Sequence, residues 1–469
     1  MTTTSAQTTW LTALRETLPP DALHVDPETL AAHTRDSAPF SEAGTPAVVV
    51  TPVTVEQVQG VLRTAHAHRV PVVPQGARTG LAGAANADEG GIVLSTLRMD
   101  RILEIDPGNR LVVCQPGVTN RALSDAVAEH GLFFPPDPAS WDTCTIGGNI
   151  AVGAGGLCCV KYGVTADYVM GLAVVLPNGD LVRTGRRTVK GVAGYDLTRL
   201  FVGSEGTLGV IVEATLGLRP PRRPSLALLA AFGSTTAAGE AVAAIIRHGH
   251  EPSALELMDA VSTSAVVDLG HPILDRSAAA TLIVESDDAD PARALDEIAR
   301  LCRQAGALTV TVAADQEQTT AILDTRRLVL PATQVKAEQM PGDTTAFIED
   351  VCVPRTRLAE FIDQIAAIAE EYGLYISTIG HAGDGNLHPT VVFDRSDPDA
   401  VERATRAYDA IMAAGLELGG TITGEHGVGT LKRDWLSCEL DPGALRIQHG
   451  IKKLLDPLGI LNPGKVLAI

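Results

Sequence analysis

Two short segments near the C-terminal end of the chain carry the side chains best suited to chemistry. The first, His-Ala-Gly-Asp-Gly-Asn-Leu-His, begins at His381 and ends at His388, and the second, Gly-Glu-His-Gly, contains Glu425 and His426. Imidazole nitrogens and a carboxylate are ligands that divalent metals accept in proteins. A metal beside a free base makes an unreactive hydroxyl oxidisable. The two segments therefore predict a metal site with His426 as a nearby base.

The residues around the first segment predict a β-hairpin. Residues 375–379 and 389–393 are strand-like, and the Asp384-Gly385 step between them is a two-residue turn signal. Such a turn would pair His381 with His388 across the hairpin, where directly opposed Cβ atoms lie roughly 4.5–5.5 Å apart. That spacing suits two imidazoles on one ion, and it suits equally two histidines that only pack against each other.

Glu425 would supply a third ligand from a separate segment and leave one metal position open for a substrate. Adjacent residues on a regular strand point to opposite faces, which would separate Glu425 from His426. The flanking glycines, Gly424 and Gly427, permit an irregular loop instead.

The first half of the chain contains four glycine-rich segments, at residues 74–83, 115–117, 144–149 and 203–209. Glycine lets a backbone approach a pyrophosphate closely, and nearby hydroxyl groups add hydrogen-bond donors. Each segment by itself is more typical of a turn than of a ligand loop. The chain has neither a G-x-G-x-x-G step between a first strand and helix nor a lysine-containing phosphate loop, so a Rossmann or P-loop site is not indicated.

The elements that must position these residues indicate an α+β protein of more than one domain, since 469 residues exceed a single core. Residues 8–35 have a helical pattern, and residues 47–74 have the pattern of a β-α-β unit. The prolines within residues 219–224 mark a boundary, after which strand-like runs alternate with alanine-rich helices. Amphipathic helices are predicted over residues 400–418 and 445–456.

Charge and cysteine content narrow the class of protein. The formal net charge is -19, from 56 acidic and 37 basic residues, which disfavours a nucleic-acid partner. No run approaches the ~20 apolar residues of a membrane span. The 7 cysteines have neither metal-ligand spacing nor a disulfide framework, which fits a reducing cytoplasm. We expect a cytoplasmic protein without a transmembrane segment, while peripheral association with a membrane through a partner stays open.

In their order and spacing, the four glycine-rich segments resemble the flavoprotein superfamily of vanillyl-alcohol oxidase and para-cresol methylhydroxylase (PCMH). In that superfamily such loops line an FAD held between two small α+β subdomains. The resemblance implies FAD contacts from Gly76, Arg78, Thr79, Gly80, Leu81, Pro136, Asp137, Thr145, Gly147, Gly148, Glu205, Gly206, Gly209, Ile211 and Asn462. Some members attach FAD to a histidine in the first loop. Residues 74–83 contain no histidine, so we expect non-covalent FAD.

The two histidine segments are similar to the C-terminal domain of FAD-dependent D-2-hydroxyacid dehydrogenases, which include D-lactate dehydrogenase, the glycolate oxidase FAD subunit and D-2-hydroxyglutarate dehydrogenase. The resemblance implies a zinc, manganese or iron site formed by His381, His388 and Glu425. It implies His426 as the general base and a substrate-orienting role for Asn386. The implied reaction oxidises a D-2-hydroxy acid to the 2-oxo acid, with hydride transfer to flavin N5 and a further electron acceptor that the sequence does not identify.

The substrate carboxylate needs a cation, and the resemblance implies Arg326. Arg327 is an alternative, since one of the two is expected on a solvated helix face. Relatives that oxidise 2-hydroxyglutarate carry an extra lysine where this chain has Ile348 and Glu349. A second substrate carboxylate would lack its cation, so D-lactate or glycolate is favoured over a dicarboxylate. A non-catalytic FAD-binding subunit of a glycolate-oxidising complex is a further alternative, although such a subunit should have lost its metal ligands.

The resemblance also implies a domain plan of the α+β class. We expect a helical lead-in at residues 1–44, a two-subdomain PCMH-type FAD-binding domain at 45–220 and an antiparallel-sheet substrate and metal cap at 221–425. A C-terminal helical segment at 426–469 is expected to return to the FAD domain. Members of the resembled family are often homodimers, and the sequence leaves the oligomeric state open.

Overall fold

The computed structural model describes residues 3–271 and 273–468. Its helices, in chain order, are α1 (Thr3–Thr17), α2 (Pro27–Ala32), α3 (Val55–His68), α4 (Asn120–Ala128), α5 (Ile146–Val152), α6 (Cys159–Tyr162), α7 (Thr165–Tyr168), α8 (Leu197–Phe201), α9 (Thr235–Arg247), α10 (Ala260–Asp268), α11 (Pro291–Gln304), α12 (Gln316–Arg327), α13 (Val329–Gln339), α14 (Leu358–Tyr372), α15 (Pro398–Glu417), α16 (Leu436–Glu439) and α17 (Pro442–Leu455). Short 3₁₀ turns lie at Pro20–Ala22, Arg355–Arg357 and Arg433–Trp435.

The strands, in chain order, are β1 (Leu23–His24), β2 (Val48–Val50), β3 (Val72–Gln75), β4 (Ile92–Ser95), β5 (Ile102–Asp106), β6 (Leu111–Cys114), β7 (Val169–Val175), β8 (Leu181–Gly185), β9 (Val210–Gly217), β10 (Leu226–Phe232), β11 (Ala254–Asp259), β12 (Ala280–Ser286), β13 (Ala307–Val312), β14 (Thr344–Ile348), β15 (Val351–Cys352), β16 (Tyr375–His381) and β17 (Asn386–Asp394). The chain divides into two compact units. Unit 1 comprises residues 1–156, 163–221 and 425–469, and unit 2 comprises residues 157–162 and 222–424.

Unit 1 contains two sheets. The first has the order β1-β2-β4-β3, in which β2, β4 and β3 run parallel and β1 is antiparallel to β2. Every residue of β2 and β4 is buried, which explains their continuous Val, Ile and Leu runs, because parallel strands are covered on both faces. Helix α3 follows β2, and Thr54 caps its N-terminus with a hydroxyl that accepts a hydrogen bond from the Gln57 N–H.

The second sheet of unit 1 is antiparallel, with the order β5-β6-β9-β7-β8. Its β7 and β8 form a hairpin with Val175 opposite Leu181, and the Asn178-Gly179 step between them is a residue pair that favours such a turn. The C-terminal segment packs into the first sheet's core through Ile460 and Leu461.

Unit 2 is built on an eight-stranded antiparallel sheet. The strand order is β13-β10-β12-β11-β16-β17-β14, and β15 pairs with β17. Residues 280–286 of β12 are all buried, and α10, α12 and α13 contribute to a core with β10, β11 and β12. The α+β class predicted from the sequence is confirmed.

One helical expectation is wrong in part. Residues 8–35 are not continuously helical, because strand β1 lies between α1 and α2 and pairs with β2. The two-residue strand Leu23–His24 has no periodicity of its own, so only its pairing partner reveals it.

The predicted register of the histidine hairpin is also wrong. His381 lies opposite Asn386, and His388 lies opposite Ile379, so the connecting loop has four residues instead of two. The Gly385 N–H donates to the His381 carbonyl at 2.9 Å, and the Gly385 carbonyl accepts from the Val353 N–H at 2.9 Å. The second bond comes from a neighbouring strand segment, which the Asp-Gly signal could not report. A shift of two residues keeps every side chain on its face, so both histidines still share one face.

Candidate functional site

A cleft in unit 1 is bordered by the glycine-rich segments that the sequence analysis singled out. Its atom-free space is about 1400 Å³ when the solvent at its open mouth is included. The predicted FAD-binding residues that line it are Gly76, Arg78, Thr79, Gly80, Leu81, Thr145, Gly147, Gly148, Glu205, Gly206, Gly209 and Ile211. The cleft therefore has the glycine-rich lining that a dinucleotide site requires.

Three predicted FAD-binding residues do not line this cleft. The Pro136 carbonyl accepts a hydrogen bond from Asn120 Nδ2 at 2.9 Å, and the backbone of Asp137 packs against Gly156. Asn462 donates through Nδ2 to the carbonyls of Ala84 and Glu205, at 2.9 and 2.6 Å. Asn462 thus connects the loops that contain Ala84 and Glu205, both of which line the cleft.

Two glycines in the cleft are required by close packing. A Cβ added at Gly76 would lie 2.3 Å from the Thr145 hydroxyl oxygen, which itself caps α5 by accepting from the Gly148 N–H at 3.3 Å. A Cβ at Gly147 would lie 2.5 Å from Pro116 Cβ. Neither contact leaves room for a side chain, so the backbone itself forms this wall of the cleft.

Arg78 is the main cation of the cleft wall. Its backbone is left-handed, with φ 60°, an unusual conformation for a residue other than glycine. Its buried Nη1 has no hydrogen-bond partner in the described chain, and the same holds for Nδ2 of Asn149, which also lines the cleft. Burial lowers the pKa of the Arg78 guanidinium. Two buried donors without acceptors fit an anionic ligand such as the diphosphate of FAD.

Glu205 binds the backbone of a distant loop, a contact that the sequence did not predict. Its carboxylate accepts from the backbone N–H groups of Val428 and Gly429, at 2.7 and 2.8 Å. Burial raises the pKa of Glu205 to about 7, while those two hydrogen bonds oppose the shift. Glu205 therefore anchors the loop that directly follows His426.

Glu425 and His426 both line the same cleft of unit 1. Their side chains are 14% and 17% exposed, and His426 Nε2 lies 3.9 Å from Glu425 Oε1. Gly427 has φ 88° and Gly429 has φ 52°, so the chain here is an irregular loop rather than a strand. The expectation that glycines let these adjacent side chains face one region is confirmed.

In unit 2, strands β16 and β17 place His381 and His388 side by side. Both are 5% exposed, and their ring centroids lie 5.2 Å apart in an edge-to-face arrangement. A ring nitrogen of each lies within 4.8 Å of one on the other. The pair is buried, close and on one face of the sheet.

The partners of the two rings identify their tautomers. His381 Nδ1 lies 2.8 Å from Glu256 Oε1, and His388 Nδ1 lies 3.2 Å from the Glu349 carbonyl oxygen. A backbone carbonyl only accepts a hydrogen bond, and so does an ionised carboxylate. Each Nδ1 must therefore carry a proton, so in the neutral form of each ring the lone pair lies on Nε2. Two imidazoles that present Nε2 in this way are a donor set that fits a divalent metal.

Arg326 and Arg327 are clearly distinguished by their surroundings. Arg326 donates through Nε to Glu256 Oε2 at 2.8 Å, with its side chain 15% exposed. Its terminal nitrogens form no hydrogen bond to the described part of the chain. Arg327 is 66% exposed and pairs with Asp324 on its own helix. Of the two, only Arg326 belongs to the histidine site.

Glu256 is the residue of this site that the sequence analysis missed. It is 2% exposed, and burial raises its pKa, but His381 and Arg326 outweigh burial and hold the pKa below its usual value. A signal was present, because Glu256 stands in the otherwise apolar run Ala-Leu-Glu-Leu-Met of β11. A buried acid in an apolar strand requires a partner.

Asn386 and Asp350 connect the hairpin to the end of unit 2. Asn386 is 5% exposed, packs against Gly424, and its buried Oδ1 has no hydrogen-bond partner in the described residues. Asp350 accepts from the Thr423 hydroxyl at 2.6 Å and from the Gly424 N–H at 2.9 Å. Gly424 is the last residue of unit 2, and Glu425 follows it in the chain.

Comparison with solved structures identifies the class of fold. A crystal structure of p-cresol methylhydroxylase with substrate bound has a TM-score of 0.78 with this chain at 19% identity, covering 98% of this chain and 97% of that chain. The fold is therefore that of PCMH-type flavoproteins, as predicted.

Sequence comparison identifies the family. A family model described as "FAD linked oxidases, C-terminal domain" matches residues 222–466, and one described as "FAD binding domain" matches residues 46–185. Glycolate oxidase subunit GlcD of Bacillus subtilis is 43% identical over 425 residues, which cover 90% of this chain and 89% of that protein. D-lactate dehydrogenase of Archaeoglobus fulgidus is 36% identical over 429 residues, which cover 90% and 91%. The chain belongs to the FAD-linked oxidases and is an FAD-linked oxidoreductase.

Among residues 3–271 and 273–468, no helix is both long enough and apolar enough to span a bilayer.

Proposed function

We propose that this protein oxidises a D-2-hydroxy monocarboxylate, such as D-lactate or glycolate, to the 2-oxo acid with FAD and a divalent metal. The observation that carries the proposal is the buried pair His381 and His388, each held through Nδ1, beside Arg326, whose terminal donors form no hydrogen bond to the described residues. In an FAD-linked oxidoreductase, such a group suits a substrate that has both a hydroxyl and a carboxylate.

FAD would be held non-covalently by the cleft of unit 1, with Arg78 facing the diphosphate and Asn462 supporting the loops. His381 and His388 would bind zinc, manganese or iron through Nε2, with Glu425 as the third ligand that the sequence predicts. When bound, FAD supplies the two-electron acceptor and the metal supplies Lewis acidity. The reduced protein would pass its electrons to a further acceptor.

The protein side chains would act on the substrate in three ways. His426 would take the proton of the α-hydroxyl as general base. Arg326 would bind the carboxylate through its two terminal nitrogens in a bidentate hydrogen bond. Asn386, whose buried Oδ1 has no described partner, would accept from or orient the hydroxyl.

A monocarboxylate is favoured over a dicarboxylate by strand β14 and the residue after it. Ile348 and Glu349 stand where relatives that oxidise 2-hydroxyglutarate have an extra lysine. Glu349 is buried, and its own backbone carbonyl contacts His388. The names of the relatives, a glycolate oxidase subunit and a D-lactate dehydrogenase, support the same substrate class.

The test is anaerobic flavin reduction with D-lactate, glycolate, D-malate and D-2-hydroxyglutarate, with metal analysis of the same sample. We expect bleaching of the oxidised flavin band by D-lactate or glycolate and about one divalent ion per chain. Reduction by D-2-hydroxyglutarate alone would replace the proposed substrate class. No reduction by any of the four acids would favour a non-catalytic FAD-binding subunit.

A further inference from the structure

Within unit 2, one buried carboxylate contacts both His381 and Arg326. Glu256 on β11 lies directly opposite His381 on β16 in the antiparallel register. Its Oε1 lies 2.8 Å from His381 Nδ1, and its Oε2 accepts from Arg326 Nε at 2.8 Å. The three residues form an Arg326–Glu256–His381 chain, in which Glu256 is 2% exposed and Arg326 is the last residue but one of α12.

We propose that Glu256 is a positioning residue that orients His381 for metal binding and Arg326 for substrate carboxylate binding at the same time. The inference rests on the proposed function and deepens it, because it names the residue through which the metal ligand and the carboxylate anchor are held together.

The first part of the argument concerns the histidine. A carboxylate has no proton to give, so His381 must donate from Nδ1 and present Nε2. A neutral amide at residue 256 could also donate, and it would then stabilise the opposite tautomer with the proton on Nε2. An anionic partner also raises the basicity of the imidazole that binds a metal. The charge of Glu256, beyond its shape, therefore decides whether His381 is a ligand.

The second part concerns the arginine. Glu256 takes only the Nε donor of Arg326, so the planar guanidinium is held through Nε while its two terminal nitrogens form no hydrogen bond to the described residues. A free arginine would lose several rotatable torsions on binding a carboxylate, and the bond to Glu256 removes much of that entropy in advance. Loss of Glu256 should therefore weaken substrate binding as well as metal binding.

His388 provides an internal contrast. Its Nδ1 partner is the backbone carbonyl of Glu349, which no side-chain substitution removes. The orientation of His388 is therefore independent of Glu256, and only His381 depends on a side-chain charge. We expect Glu256 to change the affinity of the metal site without abolishing it.

The experiment compares two buried glutamates of the same sheet. Glu285 on β12 is 7% exposed and pairs with Arg222 at 2.7 Å, and its hydrogen-bond partners in the described part of the chain, Arg222, Ser225 and Ser253, include no histidine. The FAD-loaded proteins Glu256→Gln and Glu285→Gln are stripped of metal by a chelator and titrated with Zn²⁺ in a calorimeter. We expect the zinc Kd of Glu256→Gln to rise roughly 10–100-fold and that of Glu285→Gln to stay within about threefold of wild type.

Steady-state kinetics on the zinc-saturated proteins give the second readout. With D-lactate, Glu256→Gln should raise KM by roughly tenfold, because Arg326 loses its orientation. Glu256→Asp, which keeps the charge but shortens the reach, should have a zinc Kd between those of wild type and Glu256→Gln.

Removal of Glu256 alone leaves Arg326 with no described partner, which is destabilising in a buried site. If Glu256→Gln does not fold, Glu256→Gln/Arg326→Met removes the charge together with its partner and should show the same weakening of zinc binding. Wild-type zinc affinity in either variant would overturn the role of Glu256 and leave the proposed function intact. A wild-type protein that binds no divalent metal would overturn both.

Discussion

The cleft of unit 1 and the histidine site of unit 2 are built from different parts of the chain. In the cleft, glycines bring the backbone close to the ligand space, and Gly76 and Gly147 pack too tightly for any side chain. In the histidine site, side chains hold one another through hydrogen bonds, as in the Arg326–Glu256–His381 chain. We therefore expect ligand binding in the cleft to depend on the volume of the side chains. We expect activity at the histidine site to depend on their charge.

Substitution of His426 tests which residue takes the substrate proton, because His426 lines the cleft and is not part of the hairpin. His426→Ala should lower the rate of anaerobic flavin reduction by about 10²–10⁴-fold, because the α-hydroxyl loses its general base. FAD content and zinc content should be unchanged, since neither is assigned to His426. The measurement is stopped-flow absorbance of the flavin with D-lactate.

The exposed His130 provides the control for this loss, and His130→Ala should reduce flavin at the wild-type rate. Full activity of His426→Ala would remove the base from the cleft and assign proton transfer to the histidine site or to water.

Glu205 is an exception, because it is an ionisable side chain in a cleft where we otherwise expect side-chain volume to matter most. Its pKa is raised by burial from 4.5 to about 7 in the folded state. The folded protein binds the extra proton, so the stabilising contribution is complete below about pH 4.5 and is lost as the pH rises through about 7. In FAD-depleted protein, the free energy of unfolding should fall by roughly 3 kcal/mol over this range through this group.

Glu205→Gln cannot titrate and should lack that fall, whereas the exposed Glu28→Gln should keep it. Denaturant titrations between about pH 5 and about pH 8 provide the measurement. Parallel pH profiles for wild type and Glu205→Gln would contradict the assignment.

Arg326 and Arg327 test the rule that charge and its geometry decide function in the histidine site. Arg326→Lys keeps the charge but loses the planar fork, so KM for D-lactate should rise by roughly 10–100-fold, as expected for about 1.5–3 kcal/mol. Arg327→Lys, on the exposed face of the same helix, should leave KM within about twofold. Equal effects of the two substitutions would show that the carboxylate does not distinguish between them.

Gly76 tests the rule that volume decides function in the cleft. Gly76→Ala places a methyl group 2.3 Å from the Thr145 hydroxyl and displaces the cap of α5, which should cost about 1–2 kcal/mol and weaken FAD binding by roughly tenfold. Gly450→Ala meets no atom within 4 Å and should retain FAD fully, with a slight gain in helix stability. FAD fluorescence on dilution measures the FAD affinity of both variants.

Local signals in the sequence predicted much of both sites. The β-α-β pattern of residues 47–74 identified β2, α3 and β3, and the glycine-rich segments identified most of the cleft wall. These features depend on neighbouring residues, so a pattern within about ten residues is sufficient. The histidine hairpin was also predicted, but with a two-residue turn where tertiary contacts impose four.

Only the tertiary structure determined which residues far apart in the sequence contact one another. Glu256 and His381 are 125 positions apart, and their contact follows from the pairing of β11 with β16. The contact of Arg326 with Glu256, which Arg327 does not make, depends on which side of α12 faces β11. The anchoring of Val428 and Gly429 by Glu205 joins residues more than 200 positions apart. By itself the sequence determined the chemical types, the glycine loops and the strands, because those are local. Partner choice among buried charges was decided by the fold, because burial makes an unpaired charge costly only after the strands have been brought together.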